Sequence, residues 1–226
     1  DPGDSIPRAI LLSVGVFLLL TLAEFLIAII GKWLIAGRLR SGRYPLWGVT
    51  YFRWWLADRL VEAAPTYMLA GSAMYTWWLR ALGAKIGKDV CIGSISIRAA
   101  DLLNLGNYVS IGNAVNLENA YVEDQHLILG GIDLADNAYV GSYSVLQGDT
   151  RLGSYAHLEG QSALARGGSI PDRQIWGGSP ATFRANFDQT ELPPRINPGA
   201  LQLLTEAIFF VLGSLFISAI FFLPVF

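Results

Sequence analysis

The sequence is poor in cysteine, histidine and charge, and these shortages narrow what the chain can be. A single cysteine, Cys91, excludes an internal disulfide and agrees with a reducing compartment. Charged residues make up 15% of the 226 residues, the formal net charge is −2, and no basic stripe with interleaved aromatics is present, which excludes a nucleic-acid partner. No glycine-rich phosphate loop, HExxH or CxxC motif occurs, so the sequence predicts no metal site.

Hydrophobic residues, in contrast, make up 53% of the chain and collect in two long runs. Ala9 to Ile30 is a run of 22 residues whose only charge is Glu24. At about 1.5 Å per residue, this run spans a hydrocarbon core about 30 Å thick. Ala207 to Phe226 contains no charge and, with the residues in front of it, is also long enough to cross. We therefore predict transmembrane helices over residues 9–37 and 201–226.

The flanks of the first run predict its orientation. Its apolar core is too long for a secretory signal peptide, the residues before it are acidic, and no small-residue cleavage site follows. Basic residues follow it directly and few precede it, so the positive-inside rule places the middle of the chain in the cytosol: Lys32, Arg38, Arg40 and Arg43 against Arg8 alone. We predict a multi-pass protein of the plasma membrane. Because the sequence begins with Asp-Pro and ends within an apolar run, we also expect a longer parent protein.

Residues 38–81 are rich in tryptophan and arginine. Five of the seven tryptophans lie here, interleaved with arginines: Trp47, Trp54, Trp55, Trp77 and Trp78 with Arg53, Arg59 and Arg80. Tryptophan favours the headgroup level of a bilayer, so we predict interfacial helices. The alternative is that these rings pack against the transmembrane helices. Residues 1–8 and 185–200 are predicted to be linkers.

A six-residue repeat occupies the middle of the chain. Nine apolar residues stand six apart, most of them with a small residue four positions later: Ile128, Leu134, Val140, Leu146, Leu152, Leu158, Leu164, Ile170 and Trp176. A period of six matches neither a helix nor a simple alternating strand. Short strands stacked as a coil, about 4.8 Å apart, account for it, with the apolar residue inside and Gly or Asn at the turn. Cys91, which follows Val90 in this repeat, is expected in the core.

The repeat changes phase twice. The spacing from Ile92 to the next apolar anchor is thirteen residues, one too many, and the spacing from Leu117 to the next is eleven, one too few. We expect loops or irregular turns near residues 99–104 and 119–125.

Over about residues 82–184 the repeat resembles the hexapeptide-repeat acyltransferases. The resemblance implies an all-β left-handed parallel β-helix, here flanked by transmembrane and interfacial α-helices. In that family, departures from the coil often build the active site. Ile170-Pro171 and the six residues from Trp176 are similar to the family's closing motif, which lies beside the pantetheine of the acyl donor. The resemblance thus implies a pantetheine-binding segment: Trp176, Gly177, Gly178, Ser179, Pro180 and Ala181.

The order of features resembles a narrower family. Between the two apolar runs the chain carries "LGAKIGKDV", "DLLNLGNYVSIG", "NAYVEDQHLILGGIDLADNAYVGSYSVLQG", "LEGQSALARGGSIP" and "IWGGSPA". This is similar to the tandem acyltransferase-like modules in the membrane-bound C-terminal region of ε-poly-lysine-synthetase-type nonribosomal peptide synthetases. The resemblance implies amide or isopeptide bond formation between amino acids held on the 4′-phosphopantetheine of a carrier domain. The implied partners are the lipid bilayer, that carrier domain and sister modules, and a homo-oligomer stays open.

Acyl transfer to an amine needs a base for the ammonium proton, and the resemblance implies a histidine in that role. The chain has two histidines. His126 stands beside the second phase break, with Glu123 and Asp124 as candidate orienting groups. His157 stands between inward-facing residues, so we expect its ring to point outward and to stack on Tyr139 of the preceding coil. Each histidine is also explained as an ordinary loop or surface residue.

The chain departs from the narrower family at one position. Where that family's modules carry a histidine ahead of the Glu-Asp pair, this sequence has Ala120. Three functions therefore stay open. The chain is an acyltransferase-like module of a peptide synthetase, either active or a scaffold for an active sister module; an autonomous membrane acyltransferase that uses coenzyme A; or a non-catalytic structural module for product passage.

Overall fold

A computed structural model describes residues 2–188 and 199–222. Within them, four α-helices frame a region of short strands: α1 Pro2–Ile35, α2 Val49–Ala63, α3 Ala73–Ala81 and α4 Ala200–Phe222. The strands are β1 Gly42–Pro45, β2 Lys85–Ile86, β3 Cys91–Ile92, β4 Ile95–Ile97, β5 Leu103–Leu105, β6 Ser110–Ile111, β7 Val115–Glu118, β8 Ala120–Glu123, β9 His126–Leu129, β10 Ile132–Leu134, β11 Tyr139–Val140, β12 Val145–Gln147, β13 Thr150–Leu152, β14 His157–Leu158, β15 Ala163–Leu164, β16 Ser169–Ile170, β17 Gln174–Gly177 and β18 Thr182–Asn186. Short 3₁₀ turns lie at Thr66–Met68 and Ala100–Leu102.

Most of the strands stack into a coil with three flat sides. Sheet 1 has the strand order β16-β13-β10-β5-β2, sheet 2 the order β18-β17-β14-β11-β6-β3, and sheet 3 the order β15-β12-β7-β4. Apart from β18, neighbouring strands in these sheets are parallel. One strand from each sheet makes one coil, beginning with β2, β3 and β4. The predicted parallel β-helix is confirmed, and its left-handed sense stays a prediction.

The apolar positions of the repeat fill the interior of the coil. The anchors from coil to coil are almost completely buried, at most 2% exposed: Leu134, Val140, Leu146, Leu152 and Leu158. The small residues four positions after them are buried as well: Ala138, Ser144, Thr150, Ala156 and Ser162. Because full burial of an aliphatic side chain stabilises a fold by about 1.5–3 kcal/mol, this column of anchors is the main source of the coil's stability.

The corners between strands use left-handed backbone at the same six-residue interval. The φ angles of five successive corner residues lie between 57 and 62°: Asn137, Tyr143, Asp149, Tyr155 and Gln161. Gly and Asn adopt this conformation most easily, whereas tyrosine and glutamine are strained there. Stacking of the coils therefore imposes the turn even where the local sequence does not favour it.

Both predicted interruptions are present, and they differ in size. The first is the single turn Ala100–Leu102 between β4 and β5. At the second, the hairpin β8–β9 leaves the coil, so Leu105 pairs with Leu134, twenty-nine residues later, whereas Leu134 pairs with Leu152, eighteen residues later. Ile128 lies in β9 of this hairpin. Its prediction as a coil anchor is therefore wrong, although its side chain is buried.

The hairpin forms a separate small sheet with β1, in the order β1-β9-β8, and both pairings are antiparallel. Leu127 and Leu129 of β9 pack with Ala120 of β8 and Trp54 of α2 in a second apolar cluster. The connection between α1 and α2, which contains β1, is thereby tied to the side of the coil.

Helices α1 and α3 cover the first coil. Ala28 of α1 and Trp78 of α3 belong to the same apolar cluster as the coil interior. Two of the five tryptophans in residues 38–81 are buried and three are exposed: Trp54 and Trp78 against Trp47, Trp55 and Trp77. Two of these rings thus pack inside the protein, as the alternative prediction had it. The exposure of the other three agrees with an interfacial position.

Within the described residues, one helical stretch is long and apolar enough to span a membrane by length and composition. It is the 24-residue part of α1 from Leu12 to Ile35. The apolar stretch described in α4, Leu204–Gly213, is shorter, and residues 223–226 of the predicted second span lie outside the described residues. Helix α4 packs against α1 and α3.

Candidate functional site

His126 lies in the hairpin, next to its two-residue turn. Asp124 and Gln125 form this turn with φ angles of 46 and 58°, the left-handed geometry that tight hairpins require. His126 is the cross-strand neighbour of Glu123, and its Nδ1 lies 2.7 Å from the backbone carbonyl oxygen of Asp124. The carboxylate of Asp124 instead faces Arg43 at 3.4 Å, with both side chains exposed. The predicted orienting contact is therefore made by a backbone carbonyl of the acidic pair.

His157 lies on the outer face of sheet 2. Its ring centroid is 5.3 Å from that of Tyr139, the residue beside it in the parallel pairing of β11 and β14, so the two rings are in contact as predicted, with their planes tilted by 55°. On its other side the ring of Phe187 lies 4.1 Å away, centroid to centroid. Burial between the two rings lowers the pKa of His157 below its usual 6.5. The imidazole is consequently neutral at pH 7, the form that accepts a proton.

The two histidines do not converge on one site. The hairpin that carries His126 emerges where sheet 3 passes to sheet 1, between β7 and β10. His157 lies on sheet 2, the side of the coil that does not border this corner. A single reaction therefore uses at most one of them as its base.

The predicted pantetheine segment makes the last corner of the coil. Ala163 of β15 donates its N–H to the carbonyl of Gly178 at 2.9 Å and accepts from the N–H of Ala181 at 2.8 Å. The Ser162 hydroxyl accepts from the N–H of Gly178 at 3.0 Å. A Cβ added at Gly177 would collide with the Glu159 carboxylate, the end of a flexible side chain, which would have to move aside. The segment is thus a fixed, backbone-defined ledge at the open edge of sheet 3.

His157 is the nearer histidine to this ledge. In the pairing of β14 with β17, His157 stands beside Ile175 and Leu158 stands beside Trp176. The Trp176 indole donates its Nε1–H to the side-chain oxygen of Gln174 at 2.9 Å, which fixes the ring at the start of the ledge. His126, two coils earlier in the stack, has no such adjacency.

Two further sequence expectations meet the structure here. Ala120 is buried in the hairpin cluster with Leu127, Leu129 and Trp54, so this position faces packed side chains. Cys91 is exposed on β3, and its prediction as a core residue is wrong because Ile92, the next residue, takes the inward position.

A cavity that the sequence did not reveal lies between α1, α2, α3 and β4. Its volume is about 270 Å³. Two ion pairs line it: Lys32 Nζ to Asp101 Oδ1 at 2.8 Å and Arg98 to Asp58 at 2.7 Å. The sequence does show these charged residues, but in separate contexts. Asp101 falls within the first predicted interruption, and Lys32 is one of the basic residues that predict membrane orientation.

The cavity also contains a tyrosine with a perturbed hydroxyl. Burial raises the pKa of Tyr75 to about 12, and its hydroxyl donates to the Ile95 carbonyl at 3.2 Å. Tyr75 is therefore protonated across the physiological range and presents a neutral hydroxyl to the cavity.

One relative in the comparison with known proteins spans nearly the whole chain. The delta-poly-L-ornithine synthetase of Acinetobacter baumannii is 44% identical over 224 residues, which cover 99% of this chain and 17% of that protein. The chain is homologous to a segment of that synthetase. The resemblance predicted from the sequence is confirmed, and the chain spans less than a fifth of the relative's length. No family model matches the chain.

Solved structures similar to this chain include hexapeptide-repeat acetyltransferases. A hexapeptide-repeat acetyltransferase from Vibrio cholerae covers 75% of this chain and 93% of its own, with 15% identity and a TM-score of 0.47. A galactoside acetyltransferase in complex with coenzyme A covers 59% of this chain and 82% of its own, with 14% identity and a TM-score of 0.44. Both TM-scores are below 0.5, and the architecture of the segment is defined by its own strand pairing.

Proposed function

We propose that this chain is one acyltransferase-like module of a membrane-bound nonribosomal peptide synthetase. Its role is in amide or isopeptide bond formation between carrier-bound amino acids. The observation that carries this proposal is the 44% identity with the delta-poly-L-ornithine synthetase over 99% of the chain. The adenylation and carrier functions that such chemistry needs belong to other parts of the parent protein.

The donor in this proposal is an aminoacyl thioester on the 4′-phosphopantetheine of a carrier domain. Residues Trp176 to Ala181 bind the pantetheine arm in this proposal, and the ledge that their backbone forms at the edge of sheet 3 supports this role. Coenzyme A carries the same arm and is the alternative donor, for an autonomous acyltransferase.

In the reaction, the acceptor nitrogen attacks the thioester carbonyl carbon, the C–N bond forms, and the C–S bond breaks. The acceptor's proton passes to a base, and the departing sulfur takes a proton. His157 is the base in this proposal. Its neutral imidazole and its place one strand from the ledge support that role.

A scaffolding role is the second candidate, and one observation favours it. Position 120, where the family resemblance implies a histidine, holds a buried alanine. His126 and His157 are also oriented by a carbonyl and by aromatic rings rather than by a carboxylate. In this candidate the coil positions a sister module that carries out the chemistry.

Membrane placement completes the proposal. Helix α1 crosses the plasma membrane with its C-terminal end in the cytosol, the left-handed coil lies on the cytosolic side, and α4, packed against α1, crosses back.

The test is polymer formation by the intact parent synthetase carrying His157→Gln, with His126→Gln as the matched control. Removal of a general base lowers a rate by about 10²–10⁴-fold, so we expect a loss of at least about 100-fold for His157→Gln and near-full activity for the control. The reverse result would assign the base to His126. Full activity of both variants would leave the scaffolding role.

A second pair of variants tests the donor. Ala181→Trp places a large side chain on the ledge, and Arg151→Trp, at an exposed position of β13, is its control. We expect only the first to slow single-turnover transfer from an aminoacylated carrier domain. A faster transfer from an aminoacyl-coenzyme A than from the carrier would favour the autonomous enzyme.

A further inference from the structure

The cavity between the helices and the first coil is separate from the ledge and the two histidines. None of the residues that line it belongs to the segment from Trp176 to Ala181. Its polar groups are graded in exposure, from Glu62 and Arg98, which are partly exposed, to Asp58, Lys32 and Asp101, which are nearly fully buried. It is therefore open at one end and polar at its closed end.

The charged groups around the cavity are unevenly paired. Three carboxylates, of Asp58, Glu62 and Asp101, face Lys32 and Arg98, and Arg59 from outside the lining pairs with both Asp58 and Glu62. The Asp58 carboxylate is held by Arg98 at 2.7 Å and by Arg59 at 2.8 Å. Asp101 gives only one oxygen, Oδ1, to Lys32 at 2.8 Å.

The second oxygen of Asp101 has no partner among the residues that the structure describes. Asp101 Oδ2 is a buried atom without a hydrogen bond, on a side chain that is 1% exposed. Leaving a carboxylate oxygen buried and unpaired is costly, whereas a charge-assisted hydrogen bond to it is among the strongest that a protein makes. The cavity therefore favours a ligand that brings N–H donors, and a cationic donor would make the stronger bond to Asp101 Oδ2.

The apolar surroundings narrow the class of cation further. Val61 and Leu82 supply aliphatic wall, and Tyr75 and Trp78 supply aromatic wall. The chain's own Lys32 shows which group such surroundings accept, because its ammonium contacts Asp101 and lies 3.6 Å over the ring centroid of Trp33. A divalent metal ion would need about six oxygen ligands, more than these partly engaged carboxylates provide.

We propose that this cavity binds an aliphatic primary ammonium group, whose N–H donors bond to Asp101 Oδ2 and whose alkyl stem lies against Val61 and Leu82. The site does not depend on the acyl-transfer role, since it uses neither histidine nor the ledge. It gives the module a second place at which an amine is recognised.

The test is binding of n-butylammonium to the full chain in detergent, followed by calorimetry, with n-butanol and butyrate as the neutral and anionic probes. We expect saturable binding of n-butylammonium alone. Asp101→Asn should weaken it at least about tenfold, because the charge-assisted bond is lost. Equal binding of n-butanol, preferential binding of butyrate, or no saturable binding of n-butylammonium would overturn the proposal.

A second variant keeps the test decisive if Asp101→Asn fails to fold. Ser96 is exposed on β4 and lines the cavity, so we expect Ser96→Trp to obstruct the cavity while every charged residue around it is retained. Ser169→Trp, at an exposed position of β16, is the matched control. Loss of n-butylammonium binding in Ser96→Trp together with unchanged binding in Ser169→Trp would support the site. Unchanged binding in Ser96→Trp would overturn the proposal.

Discussion

Asn119 illustrates what a single side chain does where the coil is interrupted. It is fully buried, its Oδ1 accepts from the N–H of Ala99 at 3.2 Å, and its Nδ2 donates to the carbonyl of Ala99 at 2.7 Å. Its backbone carbonyl accepts from the N–H of Gly130 at 2.9 Å, across the base of the hairpin. One asparagine thus satisfies the backbone beside the first interruption and closes the second. From the sequence alone it is one asparagine of the repeat among several.

His157 gives a prediction about pH. Its pKa is lowered in the folded chain by burial, so the unfolded chain binds more protons around pH 6.5. The contribution of His157 to the free energy of unfolding is therefore fully present above pH 6.5. It is lost as the pH falls through 6.5 toward the lower pKa of the folded state. We expect thermal stability to decrease over this acidic window and His157→Gln to flatten the decrease.

The same group can be followed directly by NMR. The imidazole signal that disappears in His157→Gln should titrate with a midpoint below 6.5. His126→Gln, which removes the chain's other histidine signal, completes the assignment. A midpoint above 6.5 would contradict the burial of this ring between Tyr139 and Phe187.

At the scale of elements, the hairpin β8–β9 is held by its buried face. Leu129 is 1% exposed and packs with Trp54 of α2 and Ala120. Truncation of such a side chain leaves a cavity, so Leu129→Ala should lower the free energy of unfolding by about 2–5 kcal/mol. Val122→Ala, in β8 at 49% exposure, is the control and should cost less than about 1 kcal/mol.

Chemical denaturation of the two variants, followed by tryptophan fluorescence, measures this difference. Trp54 lies in the hairpin cluster and contributes to this signal together with the chain's six other tryptophans. Similar losses for both variants would mean that the hairpin is not packed as described.

The hairpin also explains one error in the sequence prediction. The insertion between the second and third coils is eleven residues long, because strands of the later coils pair eighteen residues apart and strands on either side of the hairpin pair twenty-nine apart. Eleven is one short of two six-residue repeats, so the apolar spacing slips by only one position. Because of this length, Ile128 happens to stand in phase with the later anchors. The sequence therefore predicted a small loop where the chain forms two strands.

At the scale of the molecule, Cys91 tests the predicted orientation. It is exposed on β3 and is the chain's single cysteine. With the coil on the cytosolic side, a membrane-impermeant maleimide should label the 226-residue chain in inside-out vesicles and leave it unlabelled in intact cells. Cys91→Ser gives the background, and labelling from the outer side alone would invert the topology.

The coil was predictable from the sequence, and the cavity was not, for a physical reason. Each coil contacts the next at a fixed separation, so its anchors form a regular pattern along the chain. Lys32, Asp58 and Asp101 belong to three elements that meet only after the helices pack on the first coil. No spacing along the sequence predicts that these residues come together, although each of them is a charged residue in an apolar context.

Helices α1 and α3 cover the first coil, and the ledge lies on the last one. Each coil adds about 4.8 Å to the stack, so the number of coils sets the height of the ledge above the covering helices. Deleting one whole coil of eighteen residues would keep every anchor in phase and lower the ledge by one strand spacing. The count of coils thereby sets the distance from the helices to the ledge, and in the proposed function this is the distance over which a carrier domain would have to deliver its pantetheine arm.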